Sequence, residues 1–119
     1  MFLTKILEKT EYTLVRGTLD RDITSLVYDS RKVEDGSLFV CISGTKVDAH
    51  FFLADVARNG AAAVVIEKPW QELSEVIRRA LVDAGVTVLQ VPLARAALAS
   101  LSAAFYHRFL LKYLLVPKV

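Results

Sequence analysis

Residues 61–67, AAAVVIE, constrain the fold more than any other stretch of the chain. Six apolar residues in succession are typical of a β-strand that is covered on both faces. The helical pattern before this run covers about residues 49–59 and ends at Gly60, a residue suited to a helix C-terminus. A helix, a glycine and a buried strand make half of a βαβ unit, so the sequence predicts an α/β domain. The inward residues expected of this helix are Phe52, Leu53, Val56 and Ala57.

Segments on both sides of this unit continue the alternation of strands and helices. Apolar spacing predicts an opening helix that ends near Thr10, and two later helices over residues 71–83 and 94–106. In these later helices we expect Arg78 and Arg79 to face solvent, and the core residues to be Leu73, Val76, Ile77, Ala80, Leu81, Leu98, Leu101, Ala104 and Phe105. Further strands are expected at residues 12–17, 23–29, 37–42 and 86–91. The prediction is a three-layer α/β/α domain with a mixed, largely parallel sheet of about five strands.

Composition narrows the class of protein. For 119 residues we expect one domain, residues 1–119, and the 54% of apolar residues suffice for a core. The net charge of +2, from 15 basic and 13 acidic residues, argues against a nucleic-acid partner. The single Cys41 excludes an internal disulfide and fits a reducing compartment. No stretch approaches the roughly 20 apolar residues of a membrane span, and no secretory signal pattern opens the chain, so we expect a cytoplasmic protein.

Two polar loops follow the predicted strands at residues 23–29 and 37–42. The first contains Asp29, Ser30 and Arg31, and the second runs from Gly44 to Asp48. In open α/β sheets, small ligands usually bind at loops beyond the carboxyl ends of strands. The two loops can share one pocket only if their strands are parallel and close together. Local chemistry predicts an Asx-type turn at Asp29 and a helix cap at Asp48.

Motifs for catalysis, nucleotide phosphates and metals are absent from the sequence. The five glycines are too widely spaced for a phosphate-binding loop, lying at residues 17, 36, 44, 60 and 85. Cys41, His50 and His107 lack the spacing of a metal cluster. No nucleophile elbow surrounds Ser30, which argues against a hydrolase. The sequence therefore indicates binding, with no catalytic residue and no metal site.

Three ordered motifs carry a resemblance to a known family: DSRKV at residues 29–33, DGSLFV at 35–40 and GTKVDAH at 44–50. Further similarity lies in NGAAAVVIEK at 59–68 and in residues 86–108. In this order and spacing they resemble the N-terminal domain of the Mur ligases. The MurF type shares the first two motifs, whereas GTKVDAH looks closer to the MurE type.

The resemblance implies a domain that binds the uridine end of UDP-MurNAc-dipeptide. Its contacts would fall on Tyr28, Asp29, Ser30, Arg31, Gly44, Thr45, Lys46, Val47, Asp48 and His50. Among these, Lys46 would approach the diphosphate. In the family, ATP and Mg²⁺ belong to a central domain, and the incoming amino acid to a C-terminal domain. Neither fits in this chain, which we therefore expect to need no cofactor and to be inactive by itself.

Three departures from the family pattern lead to further expectations. Ala49 stands where the family commonly has glycine, which predicts a different closure of that loop. Leu93 stands where an aspartate would cap the last helix, so the cap should be lost unless another residue supplies it. Residues 109–119 also differ, with an apolar tail that contains Leu110, Leu111, Leu114 and Leu115. The tail suggests an alternative, a non-enzymatic interaction module that self-associates.

Overall fold

The computed structural model describes residues 1–44 and 47–110. The strands are β1 (Thr13–Arg16), β2 (Ser25–Val27), β3 (Ser37–Val40), β4 (Ala63–Ile66) and β5 (Thr87–Gln90). The helices are α1 (Leu3–Ile6), α2 (Leu53–Arg58), α3 (Glu75–Asp83) and α4 (Ala94–Leu110). Short 3₁₀ turns lie at Ser30–Lys32, Ala49–Phe52 and Trp70–Glu72.

The five strands form one sheet in the order β1-β5-β4-β3-β2. Strands β2, β3, β4 and β5 are mutually parallel, and β1 pairs antiparallel with β5. The predicted mixed, largely parallel sheet is therefore confirmed. Because β2 to β5 are parallel, the loops that follow them all leave the same edge of the sheet, which we call the carboxyl edge.

Both faces of the sheet are covered. Ala63 and Val65 of β4 pack in the cluster that includes residues of α1 and α4, whereas Val64 and Ile66 pack against α2 and α3. All four side chains are fully buried. The apolar run at residues 61–67 therefore has the environment predicted for it, at the centre of three layers.

The helix after β3 differs from its prediction. Residues 49–52 form a 3₁₀ turn, and α2 begins only at Leu53. As a result Phe52 is not inward but 39% exposed, whereas Leu53, Val56 and Ala57 are buried. Gly60 has a φ of +100°, as expected of the residue that ends the helix. A side chain at Gly60 would also collide with Asp35, which makes glycine doubly required there.

The helix predicted over residues 71–83 is also shorter. Ser74 caps α3 by accepting a hydrogen bond from the Ile77 N–H (3.2 Å), so the regular helix begins at Glu75. Val76, predicted to face the core, is 72% exposed, whereas Ile77 and Leu81 of the same helix are buried. Arg78 is half-buried and donates hydrogen bonds to backbone carbonyls of the preceding turn, so the prediction that it faces solvent was wrong.

Helix α4 extends to Leu110, beyond the predicted end near residue 106. Its buried residues are Ala94, Ala97 and Leu101, while Leu98 and Phe105 are partly buried against the same cluster. Ala94 and Ala97 were missing from the predicted core, whereas Ala104, predicted to belong to it, is only partly buried. Most of the apolar tail defined above, namely residues 111–119, lies outside the described residues, and the expected self-association stays a prediction. Within the described residues, no helix combines the length and the apolar character needed to cross a membrane.

Candidate binding site at the carboxyl edge of the sheet

Strands β2 and β3 are neighbours and parallel, with Ser25 opposite Ser37 and Val27 opposite Phe39. The loop that begins at Tyr28 and the loop that follows Val40 therefore leave the same edge side by side. A shared pocket required that the two strands be parallel and close together, and β2 and β3 meet this condition. Strand β4 lies beside β3, so its final residues reach the same edge as well.

The first loop is a turn built on Asp29. Its carboxylate accepts the Arg31 N–H (3.0 Å), which confirms the predicted Asx-type turn. The Arg31 guanidinium also donates two hydrogen bonds to the same carboxylate, at 3.0 and 2.8 Å. These bonds from Arg31 lower the pKa of Asp29 to about 2. The turn is thus held by hydrogen bonds between residues close in the chain, and Tyr28 beside it is 62% exposed.

The second loop is organised by Asp48, one of the predicted site residues. The carboxylate caps the 3₁₀ turn by accepting the His50 N–H (2.9 Å), as predicted. It also accepts hydrogen bonds from Ser43 Oγ (2.9 Å) and His50 Nδ1 (2.7 Å), and pairs with the Lys68 ammonium. Partial burial opposes ionisation of Asp48, but the hydrogen bonds from Lys68, His50 and Ser43 outweigh it and hold the pKa well below its usual range.

The stem of the second loop is closed by a hydrogen bond from the Gly44 N–H to the Val47 carbonyl, 2.9 Å long. Val47 is half exposed. Thr45 and Lys46, which the sequence predicts to contact a ligand, lie outside the described residues. The described part of the loop is therefore a closed stem, fixed at its base by Asp48.

His50 is buried, with 3% of its surface exposed. Its Nε2 faces the N–H groups of Glu67 (3.2 Å) and Lys68 (3.4 Å), so Nε2 is the acceptor. The proton is then on Nδ1, which donates to Asp48. Because both ring nitrogens are occupied, the side chain has no free polar atom for a ligand. His50 instead joins the loop after β3 to the end of β4.

Glu67 extends this connection to the start of α4. Its Oε1 accepts the N–H of Ala94, the first residue of α4, at 2.7 Å. A carboxylate at a helix N-terminus is favourable because it meets free N–H groups and the positive end of the helix dipole. The sequence predicts that the cap is lost with Leu93 unless another residue supplies it, and Glu67 supplies it.

Ser43, Glu67 and Lys68 belong to this arrangement but were missing from the predicted site. The first two loops were chosen because ligands bind beyond the carboxyl ends of parallel strands. The same reasoning applies to β4, and it would have pointed to Glu67 and Lys68, which follow that strand. No sequence signal distinguishes Ser43 from other loop serines. Phe51 was also overlooked, and its side chain is 73% exposed beside the buried His50.

Other features of the described chain do not add a second chemical centre. Burial raises the pKa of the Cys41 thiol well above its usual range, which makes it a poor nucleophile. In the described ranges, no three His, Cys, Asp or Glu residues are grouped as metal ligands would be. Two surface depressions, of about 370 and 240 Å³, lie along α3 and beside the start of α4, and neither is lined by a predicted site residue.

Most of the chain, including the carboxyl edge, is similar to known proteins. The family described as "Mur ligase family, catalytic domain" matches residues 22–106. The UDP-N-acetylmuramoyl-L-alanyl-D-glutamate--2,6-diaminopimelate ligase of Syntrophomonas wolfei is 39% identical over 110 residues, covering 91% of this chain and 20% of the ligase. The ligase of the same name from Bacillus velezensis is 44% identical over 107 residues, covering 89% and 19%.

Solved structures give the same fold. The crystal structure of MurF from Acinetobacter baumannii has a TM-score of 0.68 and 26% identity, covering 89% of this chain and 21% of that chain. The chain thus spans about a fifth of the length of the relatives that it matches. The similarity covers the carboxyl edge, since the family match begins before β2 and ends within α4.

Proposed function

Because the chain belongs to the Mur ligase family, we propose that it is the N-terminal, substrate-binding domain of a MurE-type ligase. In this function it binds the uridine end of UDP-MurNAc-dipeptide, the substrate that a full-length ligase extends by one amino acid. ATP and Mg²⁺ are bound elsewhere in such a ligase, so the chain by itself binds but does not ligate. The setting of the reaction is the cytoplasm.

One observation carries this proposal: the parallel pairing of β2 and β3 brings the turn at Asp29 and the loop after β3 to one edge. The exposed ring of Tyr28 offers an apolar wall of the kind that a uracil needs, and the Ser30 hydroxyl can exchange hydrogen bonds with ring or ribose oxygens. The Asp29–Arg31 pair fixes the backbone on either side of Ser30. In this proposal Lys46 approaches the diphosphate.

A MurF-type ligase is the second candidate, since the similar solved structures include MurF at 26% identity. The MurE type is favoured because the two relatives named above, which carry a MurE-type name, are 39% and 44% identical to this chain. Both candidates share the uridine end of the substrate and therefore the same expected contacts. An interaction module without a ligand is the remaining alternative.

An NMR titration of the chain with UDP-MurNAc and, separately, with UMP tests the proposal. We expect shifts clustered on Tyr28 to Arg31 and on the stem residues Gly44 and Val47, with a similar pattern for both ligands. Ser30→Ala should weaken binding about fivefold, the effect of one lost hydrogen bond. Ser102→Ala, on α4, is the matched control and should bind as the wild type does. If neither ligand produces shifts at millimolar concentration, the binding function is wrong and the interaction module becomes the better explanation.

A further inference from the structure

Five residues at the carboxyl edge form a connected set, which we call the edge clamp: Ser43, Asp48, His50, Glu67 and Lys68. The loop after β3 contributes the first three, and the last two follow β4. Together they make the links between these two segments, one through the His50 ring and one through the Asp48–Lys68 pair. Glu67 adds a third link, to the start of α4.

Neither ring nitrogen of His50 is free to contact a ligand. The two carboxylate oxygens of Asp48 accept from four donors. Groups saturated in this way contribute little as direct ligand contacts. Their connections instead help to place Gly44 and Val47, the two ends of the stem, relative to the sheet. These two residues are joined by a hydrogen bond, and their chain neighbours Ser43 and Asp48 are joined by another.

We propose that Asp48 and His50 are positioning residues for the uridine site, holding the loop after β3 against the end of β4 before the ligand arrives. This inference rests on the proposed function and deepens it. A site that is already formed binds more tightly, because the measured dissociation constant is the intrinsic one divided by the fraction of molecules in the competent arrangement. A loop that is correctly placed in only a tenth of the molecules would bind about tenfold more weakly.

The two hydrogen-bonded links of His50, from Nδ1 to Asp48 and from the Glu67 N–H to Nε2, can be removed one at a time by substitution. The amide of glutamine can place an acceptor near the position of Nε2, whereas the shorter asparagine reaches only the position of Nδ1. His50→Gln therefore keeps the acceptor for the Glu67 N–H, and His50→Asn keeps a donor for Asp48 but loses the link to β4. His107→Asn is the matched control, since His107 is exposed on α4.

UMP affinity by NMR titration is the first measurement. We expect His50→Asn to weaken UMP binding about tenfold and His50→Gln to restore affinity to within about threefold of wild type. Lys68→Met removes the second link from a half-exposed position and should weaken binding by a few fold without unfolding the protein. His107→Asn should have no effect. Equal affinity of the wild type, His50→Asn and Lys68→Met would overturn the positioning role.

Amide hydrogen exchange of the unliganded proteins is the second measurement, and it does not depend on a ligand. In His50→Asn, the Glu67 and Gly44 amides should exchange faster together, although the Gly44 N–H donates to the Val47 carbonyl and not to residue 50. Unchanged protection of Gly44 would show that the clamp does not hold the stem, and would refute the inference even if Glu67 responded. Failure of the wild type to bind UMP or UDP-MurNAc would instead refute the proposed function, so the two failures are distinguishable.

Discussion

Replacing Asp48 with alanine should lower the free energy of unfolding by about 3 kcal/mol. The lost cap of the 3₁₀ turn contributes about 1 kcal/mol. A larger part comes from the buried His50 Nδ1–H, because an unsatisfied buried donor costs about 1–3 kcal/mol. The pair with Lys68 adds little, since the Lys68 side chain is 43% exposed and solvent screens the interaction.

Urea denaturation followed by circular dichroism measures this difference, and a thermal scan should show a midpoint lowered by about 10–15 °C. Asp55→Ala is the matched control. Asp55 is also an aspartate next to a helix start and pairs with Arg58, but its side chain is 62% exposed. We expect it to cost less than about 1 kcal/mol. If the two substitutions cost the same, Asp48 does not organise a buried network and the reasoning is refuted.

Two further predictions concern charge at the carboxyl edge. Because hydrogen bonds lower the pKa of Asp29 and Asp48 in the folded state, their stabilisation is complete above the ordinary carboxyl range near pH 4 and is lost as the pH falls through the lowered values. Urea midpoints between pH 5 and 2 should therefore fall less steeply for Asp48→Asn than for wild type, and parallel curves would contradict this. Glu67→Ala should cost about 1 kcal/mol by uncapping α4 at Ala94, and the exposed Glu72→Ala should be close to neutral in the same assay. Equal effects would mean that Glu67 does not cap the helix.

Features that depend on neighbouring residues in the chain were predictable. The turn at Asp29 and the cap at Asp48 each rest on a hydrogen bond between residues two apart, so the sequence contains both partners together. Gly60 ends a helical pattern locally, and its positive φ follows from that position. The run at residues 61–67 required burial on both faces because no polar face exists on it.

Helix boundaries were harder to predict from the sequence, and the errors have one physical cause. Apolar spacing does not show whether a turn is 3₁₀ or α-helical. The two helix types have different numbers of residues per turn, so the type of turn decides which side chain faces the core. This is how Phe52 and Val76 were placed inward although the structure exposes them. The Ser74 cap, which delays the start of α3, could have been recognised from its serine followed by an acidic residue.

By itself, then, the sequence determined the fold class, the central buried strand and the two loops that carry the candidate site. Only the tertiary structure decided that β2 and β3 are parallel neighbours, which brings those loops together. It also decided that His50 joins Glu67, 17 residues away, and that Glu67 caps Ala94, 27 residues away. The physical reason is that both bonds join segments that follow different strands, and the order of the strands is set by packing of the whole sheet rather than by local sequence.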